Sequence, residues 1–114
     1  MSKFMFFMRG NQEYFTKLTK QEQQQVIVSH VEYSRFLADK KLLLDGDGFE
    51  FESRLIEKTQ DQIRVNASPY TGTPAQVSGY YLIEASDIEV AVEYAKKCPA
   101  LLYGESVEVI PIGH

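Results

Sequence analysis

Acid–base chemistry without a cofactor needs a group that titrates near neutrality and a partner to orient it. One such group stands well inside this chain. His30 lies on an apolar stripe at helical spacing, Val26, His30, Tyr33 and Leu37, and an imidazole there takes or gives a proton when a carboxylate orients it. Asp45 is the nearest carboxylate in sequence that could do so. Two plainer readings stand beside these: a core histidine bonded to backbone or tyrosine, and a turn aspartate bonded to its own backbone beside Gly46 and Gly48. His114 ends the sequence and is expected to fray.

Other polar side chains could meet a ligand. Arg9 closes an apolar strand, and its guanidinium fork suits a carboxylate, although strand-end arginines are usually solvated. Tyr33, Tyr70, Tyr80 and Tyr81 each offer a stacking face and a hydrogen-bonding tip; packing on a central strand is the competing reading for Tyr80 and Tyr81. Ser68 and Tyr70 belong to an aperiodic stretch, Ser68 to Ser78, with Pro69, Gly72 and Pro74, and loops of this length are more often functional or mobile than idle. Cys98, the only cysteine, lacks a positive field and reads as packing. One usable histidine and one cysteine cannot close a zinc site, and Gly46-x-Gly48 lacks the third glycine and following helix of a phosphate cradle. No metal or other cofactor is expected.

The elements that must position these residues follow from periodicity. Lys3 to Arg9 alternates with apolar residues on both faces. Thr19-Lys20-Gln21-Glu22 is a capping box opening a helix that runs to about Lys40. Leu42 to Leu44 is a short strand entering a bulge or turn at Asp45-Gly46-Asp47-Gly48. Phe49 to Glu52 and Gln62 to Asn66 both alternate, which predicts a hairpin with Thr59-Gln60-Asp61 in its connection. Tyr80 to Glu84 is again apolar on both faces. Ser86-Asp87-Ile88-Glu89 reads as a second capping box, with Pro99 stopping the helix it opens. Ser106 to Ile112 is the last strand.

The order β-α-β(β)-β-α-β predicts an α+β, ferredoxin-like split βαβ fold, with Lys3 to Arg9 and Gly79 to Glu84 as central strands of an antiparallel sheet. Two helices cover one face. Large apolar side chains remain on the other, which predicts a homodimer packed sheet to sheet, a dimeric α+β barrel.

At 114 residues the chain suits one domain, 1–114. Its net charge of -4, with lysines and arginines scattered among acids, argues against a nucleic-acid partner. The run Phe4 to Met8 is too short for a membrane span or a signal-peptide core. With a lone cysteine that forms no internal disulfide, a cytoplasmic protein is expected.

Several short motifs occur in a distinctive order: Leu43-Leu44-Asp45-Gly46-Asp47-Gly48, Ala67-Ser68-Pro69-Tyr70, Ser78-Gly79-Tyr80-Tyr81-Leu82-Ile83, Cys98-Pro99, and Val107-Glu108-Val109-Ile110-Pro111-Ile112. Together they resemble the YCII-related family, and most closely its branch named for a DGPF motif, over nearly the whole chain. The resemblance implies a dimeric α+β barrel, with lactone chemistry similar to that of muconolactone isomerase or dehalogenase at the family's margins. It also implies a role for His30, because members of the broader family carry a helix histidine in a similar place, within a His/Asp dyad. Ala67 stands where the DGPF motif has its aspartate, and alanine cannot move a proton.

These readings predict a pocket between the first long helix and the sheet, lined by His30, Tyr33, Asp45, Ser68 and Tyr70. It would bind a small organic acid or lactone, with cofactor-free proton transfer by His30. A non-catalytic ligand-binding or protein-interaction module is the alternative that Ala67 favours. A cofactor-free, monooxygenase-like barrel is a third, since this fold recurs across functions.

Overall fold

The computed structural model describes residues 1–70 and 72–113; Thr71 and His114 lie outside the described residues. Its first strand, β1 (Ser2–Gly10), obeys its alternation: Phe4, Phe6 and Met8 are buried on one face, and Met5 and Phe7 are half-buried on the other. A short helix, α1 (Gln12–Thr16), follows, capped by the Asn11 side chain.

The main helix, α2 (Lys20–Asp39), starts at the capping box: the Glu22 N–H donates to Thr19 Oγ1 at 3.1 Å, and the Thr19 N–H to Glu22 Oε1 at 2.9 Å. Such a cap is worth about 1 kcal/mol. Tyr33 and Leu37 bury its inner face.

Strands β2 (Leu43–Gly48), β5 (Gln76–Ala85) and β6 (Ser106–Ile112) join β1 in an antiparallel sheet of order β2-β5-β1-β6. The central strands are therefore the two with apolar residues on both faces, and the α+β, ferredoxin-like fold is as the element order implies. Against the helix-covered face, Phe6, Leu37 and Ile83 are fully buried, each worth roughly 1.5–3 kcal/mol of apolar transfer.

The second long helix, α3 (Ile88–Ala95), starts one residue later than the capping-box reading has it. Asp87, not Ser86, is the N-cap, because its carboxylate reaches the Val90 N–H at 2.9 Å. The helix ends before Pro99, which instead opens a 3-10 turn, Pro99–Tyr103, leading through Gly104 to β6.

The hairpin also differs from expectation. It pairs β3 (Arg54–Thr59) with β4 (Gln62–Ala67) as a separate two-stranded sheet. Its two-residue turn is Gln60-Asp61, both at positive φ, the geometry that matches strand twist. Phe49 to Glu52 is not one of its strands: the Phe49 N–H makes a last bond to the Ser78 carbonyl, and the chain then leaves the sheet edge. The hairpin stands away from the body, with Ile56 65%, Ile63 70% and Val65 60% exposed on one face. Among the described residues, no helix is long and apolar enough to cross a membrane.

Candidate functional site

Between α2 and the edge of the sheet lies a cavity of about 560 Å³. Its floor is Met8 and Tyr81 on the central strands, and α2 contributes Val26, Ile27, His30, Val31 and Ser34. Phe15 of α1 and the off-sheet residue Phe51 form an aromatic wall, their ring centroids 6.0 Å apart, and Phe49 borders the cavity with its ring stacked on Tyr80 at 5.6 Å. Phe49 and Phe51 can reach it because their segment is not pinned in a strand. Gly46, opposite Tyr81, makes room for the phenol: a Cβ there would lie 2.8 Å from Tyr81 Cδ1.

The central polar contact joins helix to sheet. His30 Nδ1 and the Tyr81 hydroxyl are 2.6 Å apart, their rings nearly parallel at 5.9 Å. Tyr33 meets the Tyr81 ring edge-on at 5.2 Å and fixes it. Burial pushes the Tyr81 phenol up to about 12, so it is neutral at physiological pH. Burial also lowers the His30 pKa, which favours the uncharged imidazole. Two tautomers are compatible with this contact. In one, Tyr81 donates to Nδ1 and Nε2 carries the hydrogen; in the other, Nδ1–H donates to the phenol oxygen and Nε2 is a base. Among the described residues Nε2 has no hydrogen-bond partner, so it is the nitrogen left for a ligand.

At another part of the wall, Ser78 Oγ lies 2.9 Å from Glu105 Oε1 and 3.2 Å from the Met8 carbonyl. Burial raises the Glu105 pKa, opposed by the serine hydrogen bond. Gly10 admits this carboxylate, since a Cβ there would sit 2.6 Å from Glu105 Cγ.

The residues singled out from sequence do not assemble into one site. His30 lines the larger cavity. Asp45 is not its orienting carboxylate: it accepts from the Tyr80 hydroxyl at 2.8 Å, and successive tyrosines of one strand point to opposite faces, so Asp45 lies across the sheet from His30. Arg9 is on that helix-free face too, bonded to Glu108 at 3.2 Å and lying over Phe7. Tyr33 is core, its hydroxyl given to the Tyr94 carbonyl at 2.6 Å. Ser68 sits at the base of the hairpin, where its N–H donates to the Ser53 carbonyl. Tyr70 lines a second cavity, of about 440 Å³, with Arg54, Gln76 and the far side of Phe49.

Cys98 is buried, and burial pushes its thiol up to about 11, which suits packing. Among the described residues no cluster of three His, Cys, Asp or Glu side chains could hold a metal ion.

Sequence reasoning missed Ser78 and Glu105. Extending the alternation of β6 back one residue puts Glu105 on the face of Val107 and Val109. Ser78 gives no such signal, because the β1–β5 register shifts between Met8 and Arg9, where it sits.

A sequence model of the YCII-related domain matches residues 3–113. No curated protein matches the chain significantly.

Proposed function

The chain belongs to the YCII-related family, and from that premise we propose that it binds a small organic molecule, with lactones the first class to try, in the cavity between α2 and the sheet. His30 passes the proton in any reaction there, and that step needs no cofactor. The observation that carries this reading is the 2.6 Å contact between His30 Nδ1 and Tyr81 at the cavity wall, with Nε2 left open. A neutral imidazole held by a neutral phenol is ready to accept a proton from a carbon acid next to a carbonyl, or to donate a hydrogen bond to that carbonyl.

The test is a thermal-shift screen of five-membered lactones followed by NMR assay of each hit for isomerisation or ring opening. Turnover by the wild type that falls at least 100-fold in His30→Ala is expected. Turnover unchanged in that variant sinks the catalytic role. Binding without turnover by either protein favours the non-catalytic reading, which the position of Asp45 across the sheet from His30 also supports, since among the described residues no carboxylate is bonded to the imidazole.

The proposal includes a second copy of the chain. Met5, Phe7, Tyr80, Leu82 and Ile110 share the helix-free face, and a homodimer packed sheet to sheet would cover them.

A further inference from the structure

The larger cavity is lined without a fixed positive charge. Neither lysine nor arginine lines it among the described residues, whereas the acid Glu105 does. Asp47 also borders it, but the residue is paired across from Tyr80, so its carboxylate lies with Asp45 on the helix-free face and accepts the Gly48 N–H at 2.8 Å. Glu105 is half-buried, its carboxylate bonded only to Ser78 and joined to no cation among the described residues. A carboxylate held in an apolar wall without a counterion is costly to the folded protein. His30 does not pair with it: its one ring-nitrogen bond among the described residues goes to Tyr81, and burial disfavours its charged form. Beside the aliphatic side chains of Val26, Ile27 and Val31, Phe15 and Phe51 bring aromatic rings of the kind that attract organic cations.

We propose that the cavity selects its ligand by charge, taking a small apolar-bodied amine whose ammonium group sits beside Glu105 and excluding carboxylates. This rests on the cavity being the ligand site, and it narrows the ligand class given above. A lactone bearing an amino group meets both readings; its ring-opened acid does not. The ammonium group supplies the counterion that Glu105 lacks, and the body of the ligand covers the phenylalanine rings. A carboxylate in the same place meets a like charge and no cation. In a partly wet cavity one such charge is worth about a tenfold change in affinity.

Three probes of matched shape test this: phenethylamine, 2-phenylethanol and phenylacetate, titrated at pH 7.5 and low salt. Calorimetry gives affinity, and the His30 and Phe51 NMR signals report occupancy of the cavity. Phenethylamine is expected to bind at least about tenfold more tightly than phenylacetate, with the alcohol between them. Glu105→Gln should weaken the amine about tenfold and leave the alcohol unchanged; Asp47→Asn, at a carboxylate that lies across the sheet, should leave all three affinities unchanged. Phenylacetate binding as tightly as phenethylamine while shifting the His30 and Phe51 signals overturns charge selection and leaves the cavity reading intact. If none of the probes shifts those signals, both readings fall.

Discussion

Tyr81→Phe isolates the contact on which the functional reading turns. The substitution removes one oxygen and keeps the ring, so the edge-on contact with Tyr33 at 5.2 Å and the stacking on His30 at 5.9 Å survive. What is lost is the 2.6 Å hydrogen bond to Nδ1. A neutral hydrogen bond is worth about 1 kcal/mol net, and leaving a half-buried ring nitrogen unpartnered costs up to about 1 kcal/mol more. A loss of about 1–2 kcal/mol follows, or roughly 4–8 °C in a domain of this size. Urea denaturation of wild type, Tyr81→Phe, His30→Ala and the double variant closes a thermodynamic cycle. A coupling energy of about 1 kcal/mol is expected. The His30 carbonyl, 3.4 Å from the phenol, offers only a weak substitute in His30→Ala. Additivity within about 0.3 kcal/mol would refute the pairing, and the proton-handling role with it.

Two titratable groups of the cavity should bend the stability curve in opposite directions. His30 has its folded-state pKa lowered from 6.5 by burial, so stability is full above that value and declines as pH falls from it; His30→Gln should flatten this part of a denaturation profile. Glu105 has its folded-state pKa raised from 4.5, so its contribution is full below that value and is lost as pH rises through the folded-state pKa. Glu105→Gln should therefore raise the melting temperature at neutral pH relative to wild type, with the difference shrinking in acid. On the helix-free face, Leu82→Lys should leave the far-UV circular dichroism unchanged and halve the mass seen by light scattering; an unchanged dimer mass, or a wild type that is itself monomeric, counts against sheet-to-sheet packing.

Much of the frame was legible because it depends on local patterns. The Thr19–Glu22 box forms as read, and the two strands with apolar residues on both faces are the central ones. Failures came where tertiary geometry outvotes a local rule. Phe49-Glu50-Phe51-Glu52 alternates like a strand, yet it lies beyond the end of the β2–β5 pairing, and its rings pack on Tyr80 and Phe15 instead. Ser86 and Asp87 are both good caps, and only the chain's approach to α3 decides for Asp87. Glu105 hides because a charged residue just before a strand reads as solvated, whereas Gly10 and the serine of a bulge make a place for it indoors.

The misplacement of Asp45 says the most about the site. Tyr80 and Tyr81 are neighbours in sequence, and the pleat sends one to Asp45 and the other to His30. A sheet thus divides two residues that linear proximity would pair. The consequence is chemical. A carboxylate partner would stabilise the imidazolium and raise the histidine pKa, making a strong base. A phenol pushed up to about 12 does neither. It holds the ring in place and leaves it neutral, so that Nε2 meets a ligand as a weak base or as a hydrogen-bond donor, according to which atom of the pair holds the shared hydrogen. Such a site gives little help in making a carbanion from an unactivated carbon. It suits a ligand whose carbonyl already acidifies the neighbouring C–H, or one that is only bound. With no positive charge on the cavity wall to anchor a carboxylate, the recognition that remains is by the neutral imidazole, the aromatic rings and the unpaired acid, Glu105.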